Sequence, residues 1–156
     1  MKGDAKIIGF LNKVLYNELT AINQYILHSR LFNHWGFREL GEHEYKESID
    51  EMRHADKLIE RILFLDGLPN LQNLGKLLIG ETPKEALECD LKLETLAVVD
   101  LREGIAYAES IKDYVSRDLL SAILDSEEEH IDWIETQLDI IGRISEPLYL
   151  QAKIGD

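Results

Sequence analysis

The chain has 156 residues, enough for one domain with a substantial buried core, and carries a formal net charge of −13. That acidity argues against nucleic-acid binding and for cations, and no apolar run approaches the ~20 residues of a membrane span. The single cysteine, Cys89, has no internal disulfide partner, and the amino terminus lacks a signal-peptide pattern, so a reducing cytoplasm is the expected compartment.

Three prolines, at 69, 83 and 147, leave two long uninterrupted stretches. In the first, Ile7, Leu11, Val14, Leu15, Leu19, Ile22 and Ile26 recur at helical spacing and predict a helix over about 5–35, broken by Gly36. A second helix is predicted over 38–66, with Ile49, Met52, Ala55, Leu58, Ile59 and Ile62 in step; it should stop near Asp66 and Gly67 because Pro69 follows. Residues 67–82 contain Gly67, Pro69, Gly75 and Gly80 and read as a connection. The third helix, 83–111, starts cleanly: Thr82 suits the N-cap, Pro83 the first helical position, and Glu85 completes a capping box. Unbroken, it would run to Gly142, too long for a globular helix. A break at 112, with Asp113 capping a fourth helix over 113–142, follows from the repeat described next. Pro147 could open a short fifth helix at about 147–152, the other reading being a loose tail.

Glu18, Glu51 and His54 recur 76 positions later as Glu94, Glu127 and His130. Each half thus carries one isolated Glu and, 33 residues on, a Glu-x-x-His pair. A Glu-x-x-His pair alone is usually an ordinary surface pair; the shared offset of all six residues is far harder to obtain by accident. One Glu from each of two helices and one Glu-x-x-His from each of two others is the ligand set of a carboxylate-bridged di-metal centre in a four-helix bundle.

The spacing also places the groups. Glu18 lies 18 residues before Gly36, and Glu51 and His54 lie 15 and 18 after it, so an antiparallel hairpin brings them level, roughly 25 Å from the turn. The second hairpin does the same about residue 112. Helices of this length span roughly 42 Å, and a connection over 67–82 can reach at most ~55 Å. It can therefore cross the bundle lengthwise and make the second and third helices parallel, the ferritin-like all-α arrangement; a bulge at one end is the alternative.

Four buried carboxylates without cations would repel one another and lose hydration, at several kcal/mol each. Two divalent ions balance them. Oxygen-rich ligation with only two imidazoles favours iron or manganese over a thiolate-type zinc or iron–sulfur site, and the ligand count does not choose between the two. Open positions on such metals could bind dioxygen or peroxide, which points to metal oxidation. Glu51 and Glu127 would bridge, Glu18 and Glu94 would be terminal, and His54 and His130 would supply nitrogen. Tyr25, seven residues past Glu18, shares its face; it is either a phenol that supplies or quenches an electron, or a hydrogen-bonded core tyrosine.

The opening MKGD, NELTAINQY at 17–25, ESIDEMRHAD at 47–56, RILFLDGLPNLQNLGKLLIGE at 61–81 and SEEEHIDWIETQL at 126–138 resemble bacterioferritins, the haem-containing branch of the ferritins, over essentially the whole chain. The resemblance implies a hollow shell of twenty-four like subunits that oxidises Fe(II) and stores ferric mineral, with the same six metal ligands. It further implies a haem b shared between two subunits, its iron held by one methionine from each; that role maps onto Met52, the only internal methionine. Read from the helix alone, Met52 is either core filler or part of an outward stripe with Ile49 and Ile59. A small iron–sulfur ferredoxin is the implied reductant for iron release.

There are departures. Lys46 stands where relatives often have a histidine that, with the residue matching Asp50, forms an iron site on the inner wall; lysine is a poor ligand at neutral pH. Leu148 stands where relatives often carry a polar residue lining a symmetry-axis channel. His28, His34 and His43 fit no ligand pattern and read as surface or loop histidines. The competing readings are a haem-free ferritin, another di-metal oxidase or peroxidase such as a manganese catalase or a rubrerythrin-like protein, and a metal-free helical interaction module. A rubrerythrin would want a cysteine-rich segment, and the repeated ligands argue against the metal-free module.

Overall fold

The carboxylate of Asp4 starts the first helix by accepting from the backbone N–H groups of Lys6 and Ile7 at 2.9 and 3.0 Å, the side-chain cap that satisfies donors without an intrahelical partner. This computed structural model describes residues 1–155. It consists of α1 (Ala5–His34), α2 (Arg38–Phe64), α3 (Pro83–Ser110), α4 (Tyr114–Ile144) and the short α5 (Glu146–Gln151), with no strand among the described residues.

Each helix ends for a local reason. Gly36, at φ +93°, lets the chain reverse after α1, and the Phe37 N–H returns to the Phe32 carbonyl at 2.8 Å. At the end of α2 the left-handed residue is Asp66 (φ +61°), while the Gly67 N–H closes onto the Ile62 carbonyl at 2.8 Å. Thr82 Oγ1 accepts from the Glu85 N–H at 3.2 Å ahead of Pro83. Lys112 (φ +62°) breaks α3 from α4, and Asp113 caps α4 through the Ser116 N–H at 3.0 Å. Helix α4 continues through Gly142 to Ile144 before Ser145 (φ +93°) turns it. The glycine costs only about 1 kcal/mol in a helix interior, less than the packing of Ile141 on the core is worth. Beyond it, α5 docks by Tyr149, which is 2% exposed and donates to Gln137 at 2.8 Å.

Hydrogen bonds between elements fix the topology. Ser29 and Ser48 bond the Gly41 and Ile22 carbonyls, so α2 runs back along α1. Asn17 meets Asp100 at 2.8 Å and Tyr107 meets Asp4 at 2.8 Å, so α3 also runs against α1 and is parallel to α2. Arg61 near the end of α2 holds Ser116 and Asp113 at the start of α4, both at 2.9 Å. The connection travels with α1: Asn70 bonds Asn12, Gly75 bonds Thr20, Leu78 bonds Gln24 and Gly80 bonds His28. It therefore crosses the bundle lengthwise, and its length is set by roughly 24 Å of helix between Asn12 and His28.

The core has two apolar ends. Ile7, Leu11, Leu15, Leu58, Ile62 and Leu120 pack together at the amino-terminal end of α1. Phe32, Leu40, Leu87, Ile134 and Tyr149 pack together at the other end. Burying each such side chain stabilises the fold by about 1.5–3 kcal/mol. The level between them is polar.

Candidate metal centre

The four long helices bring Glu18 from α1, Glu51 and His54 from α2, Glu94 from α3, and Glu127 and His130 from α4 to that polar level. Five of the six are at most 2% exposed; the side chain of His54 is 15% exposed. Ligand-type atoms of Glu18, Glu51, His54 and Glu127 lie within 4.8 Å of one another, and so do those of Glu51, Glu94, Glu127 and His130. Glu51 and Glu127 belong to both sets. His54 Nδ1 sits 3.6 Å from Glu18 and Glu51 and 3.4 Å from Glu127. His130 Nδ1 sits 3.3 Å from Glu94 and 3.6 Å from Glu47.

Burial and mutual repulsion govern the charges. Burial, reinforced by Glu127, pushes Glu94 up to about 8; burial, reinforced by Glu51, pushes Glu127 up to about 8. Glu51 is raised too, again chiefly by burial. Burial alone would lower the imidazoles, but Glu127 and Glu51 outweigh it and lift His54 to about 10, and Glu94 lifts His130 to about 9. An entering cation must displace protons held this tightly.

Glu18 Oε2, Glu94 Oε2, both oxygens of Glu127, His54 Nδ1 and His130 Nε2 are buried with no hydrogen-bond partner. Each unsatisfied group would cost about 1–3 kcal/mol, more when charged. A donor set of oxygen and imidazole nitrogen suits iron or manganese, so the residues present fit a pair of such ions.

Tyr25 is fully buried, donates its hydroxyl to Glu94 Oε1, and lays its ring edge-on to His130 at 5.1 Å between centroids. Burial, then the Glu94 charge, holds its pKa well above the ordinary phenol value, so it is a neutral donor. Met52 follows Glu51 in sequence and points about 100° away from it. It is 51% exposed, with Ile49 and Ile59 half-buried on the same helix. An exposed thioether on an outward helix face fits an axial haem ligand shared across two copies.

The unassigned histidines divide. His34 is exposed at the end of α1. His28 corrects its reading as a surface residue: it is fully buried, with both ring nitrogens bonded. His43 is half-buried in α2 rather than in a loop, and it stacks on Trp133 with ring centroids 3.4 Å apart. Burial, with His130 nearby, drives it down to about 3, so it is neutral. Lys46 is exposed, Asp50 pairs with Arg53 at 3.0 Å, and Leu148 is 57% exposed on α5.

Several buried polar residues escaped the ligand pattern: Gln24, His28, Glu44 and Asp90, together with the half-buried Glu47. For three of them the signal was helical register, since Glu44 and Glu47 precede Glu51 by seven and four residues and Asp90 precedes Glu94 by four; Gln24 and His28 carried no such signal. Burial and then the Asp90 carboxylate raise Glu44 well above the usual carboxylate range.

Two antiparallel hairpins joined by one lengthwise crossover, with matched Glu and Glu-x-x-His groups converging at mid-bundle, define a ferritin-like protein. The ferritin-like domain family matches residues 8–144. The bacterioferritin of Brucella melitensis biotype 1 is 50% identical over 151 residues, covering 97% of this chain and 94% of that protein. Those of Streptomyces coelicolor and Rhodobacter capsulatus are 47% identical over 154 residues and 49% identical over 144, covering 99% and 92% of this chain and 92% and 89% of their own. The chain belongs to the bacterioferritin family, and that membership supports iron storage. Among the described residues no helix is long and apolar enough to cross a membrane.

Proposed function

We propose that this protein oxidises Fe(II) at a dinuclear centre inside each subunit and stores the ferric product as mineral within a hollow shell of twenty-four copies. The observation that carries the reading is the sharing of Glu51 and Glu127 between two ligand sets that otherwise use separate residues. Glu18 and His54 would complete one position; Glu94 and His130 would complete the other. Glu51 and Glu127, common to both, would bridge.

Two substrate Fe(II) ions give up two electrons, and dioxygen with two protons becomes hydrogen peroxide; peroxide can accept two electrons from a further pair. The protein's part is positional and electrostatic. Four carboxylates neutralise the two ions, the apolar ends of the bundle exclude bulk water, and Tyr25 orients Glu94 through its hydroxyl. The same phenol would supply or quench an electron. Met52, with its counterpart from a second copy, would hold the iron of a haem b, which would supply one-electron redox chemistry. A small iron–sulfur ferredoxin would be the reductant for release, in a cytoplasmic setting. The exposed amine of Lys46 and the pairing of Asp50 with Arg53 do not favour an auxiliary iron site on the inner wall.

Anaerobic Fe(II) titration of the assembled protein, followed by exposure to air, tests the reading. Two irons bound per chain and a ferric absorbance that rises with oxidant consumption are expected. Binding of fewer than two irons per chain would refute the dinuclear assignment. A haem Soret band in the same sample tests Met52 separately.

A further inference from the structure

The bundle holds a second buried polar group that the oxidation itself does not use: His28, Glu44 and Asp90, each 0% exposed. Their ligand-type atoms lie within 4.8 Å of one another, yet His28 is not free to bind an ion. Its Nε2 accepts from the Gly80 N–H at 3.0 Å, and its Nδ1 donates to Asp90 Oδ1 at 2.7 Å. Neither ring nitrogen has a lone pair left. Gln24 donates to the same Asp90 oxygen at 2.9 Å and accepts the Leu78 N–H at 2.9 Å. The crossover backbone thus holds two side chains of α1, and these hold Asp90 of α3. No larger residue could replace Gly80, whose added Cβ would meet the Ala86 backbone nitrogen at 2.2 Å.

Glu44 of α2 lies against Asp90, and both of its oxygens are buried without a hydrogen-bond partner. It also lies within 4.8 Å of a ring nitrogen of His130 and one of His43. His130 turns Nδ1 toward Glu94 and Glu47 and leaves Nε2 buried and unpartnered. A metal-ligating imidazole almost always donates its other N–H to a carboxylate, a carbonyl or water, and that bond fixes tautomer and ring orientation.

We propose that Glu44 is the positioning residue for His130, accepting its Nε2–H while Asp90, His28 and Gln24 brace the carboxyl against the crossover at Leu78 and Gly80. The inference rests on His130 being a metal ligand through Nδ1. A small turn of the carboxyl, or one bridging water, closes the remaining gap. The brace serves only one of the two metal positions. The ion-pair partners of His54 are Glu18, Glu51 and Glu127, all members of its own ligand set. The two positions, matched in sequence, are therefore unequal in support.

Anaerobic Co(II) titration of the assembled protein, read by visible absorbance and by bound metal per chain, tests this in wild type, Glu44→Gln and Glu44→Leu. The glutamine keeps an acceptor oxygen for His130 and an N–H for Asp90; the leucine keeps neither. Glu44→Leu is expected to hold one Co(II) as tightly as wild type and to bind the other roughly 10- to 100-fold more weakly, with Glu44→Gln close to wild type. Equal affinity of both ions in Glu44→Leu, equal weakening of both, or a third Co(II) in wild type that the variant lacks would each overturn the proposal. Should the leucine chain not assemble, a crystal of the Co(II)-loaded wild type decides. A Glu44 oxygen within about 3.2 Å of His130 Nε2, or one water joining them, supports the brace, and any other partner for Nε2 overturns it. If wild type fails to bind two Co(II), the dinuclear reading itself is wrong, whatever Glu44 does.

Discussion

Glu127 and Glu18 are both buried glutamates at the same level of the bundle, yet they should not be equivalent. Glu127 belongs to both ligand sets and Glu18 to one. Glu18→Gln is therefore expected to weaken one Co(II) per chain and spare the other, while Glu127→Gln weakens both, as anaerobic titration would show. Equal effects of the two variants would contradict the shared-carboxylate geometry. Tyr25→Phe removes a buried hydroxyl and leaves Glu94 Oε1 short of a donor; a loss of about 1 kcal/mol in unfolding free energy is expected, with two Co(II) still bound. The six candidate ligands were legible from their repeat because identity and spacing alone define the pattern. His28 was not, because nothing in its neighbours along the chain marks it. Its partners, Asp90 and the Gly80 N–H, are 62 and 52 residues away.

One carboxylate closes the turn between α3 and α4. Asp113 caps α4 through the Ser116 N–H, accepts the Ser116 hydroxyl at 2.7 Å, and pairs with Arg61 of α2 at 2.9 Å. Burial pulls its pKa upward, but Ser116 and Arg61 outweigh that and hold it below the usual carboxylate value. A depressed folded-state pKa gives stability that is present above the unfolded value and lost as pH falls through the folded one. Asp113→Ala is expected to cost about 1–2 kcal/mol near neutrality, and the gap between thermal melts of variant and wild type should begin to narrow as pH falls below about 4. A gap that persists unchanged at low pH would show that the carboxylate charge is not the cause. The crossover shows the complementary case. Its composition marked it as a connection and its reach permitted a lengthwise path, but the alternative of a bulge was removed only by its bonds to Asn12, Thr20, Gln24 and His28.

As a whole molecule, a lone chain leaves much apolar surface uncovered. Leu63, Phe64, Leu68, Leu71, Leu74, Leu96 and Val99 are each at least half exposed. Assembly of like copies would cover such faces, and Met52 lies on one of the outward helices. Met52→Leu preserves bulk and apolarity but removes the sulfur. The expected product is an assembled shell with two Co(II) per chain and no haem Soret band, checked by sedimentation and an optical spectrum. Loss of assembly together with the Soret band would make Met52 a packing residue instead.

The helical class, the caps Thr82 and Asp113 and the six candidate ligands can be read from residue type at short or repeated spacing, whereas the Asp4 cap of α1 was found only in the folded chain. Side-chain periodicity and the 76-residue offset survive in one dimension. Only in the folded bundle does His28 become a buried, doubly bonded residue, and only there do Glu44 and Asp90 come within reach of each other and Glu44 within reach of His130. Those relations join four helices and the crossover, and contacts between residues so far apart along the chain exist only once the bundle has closed.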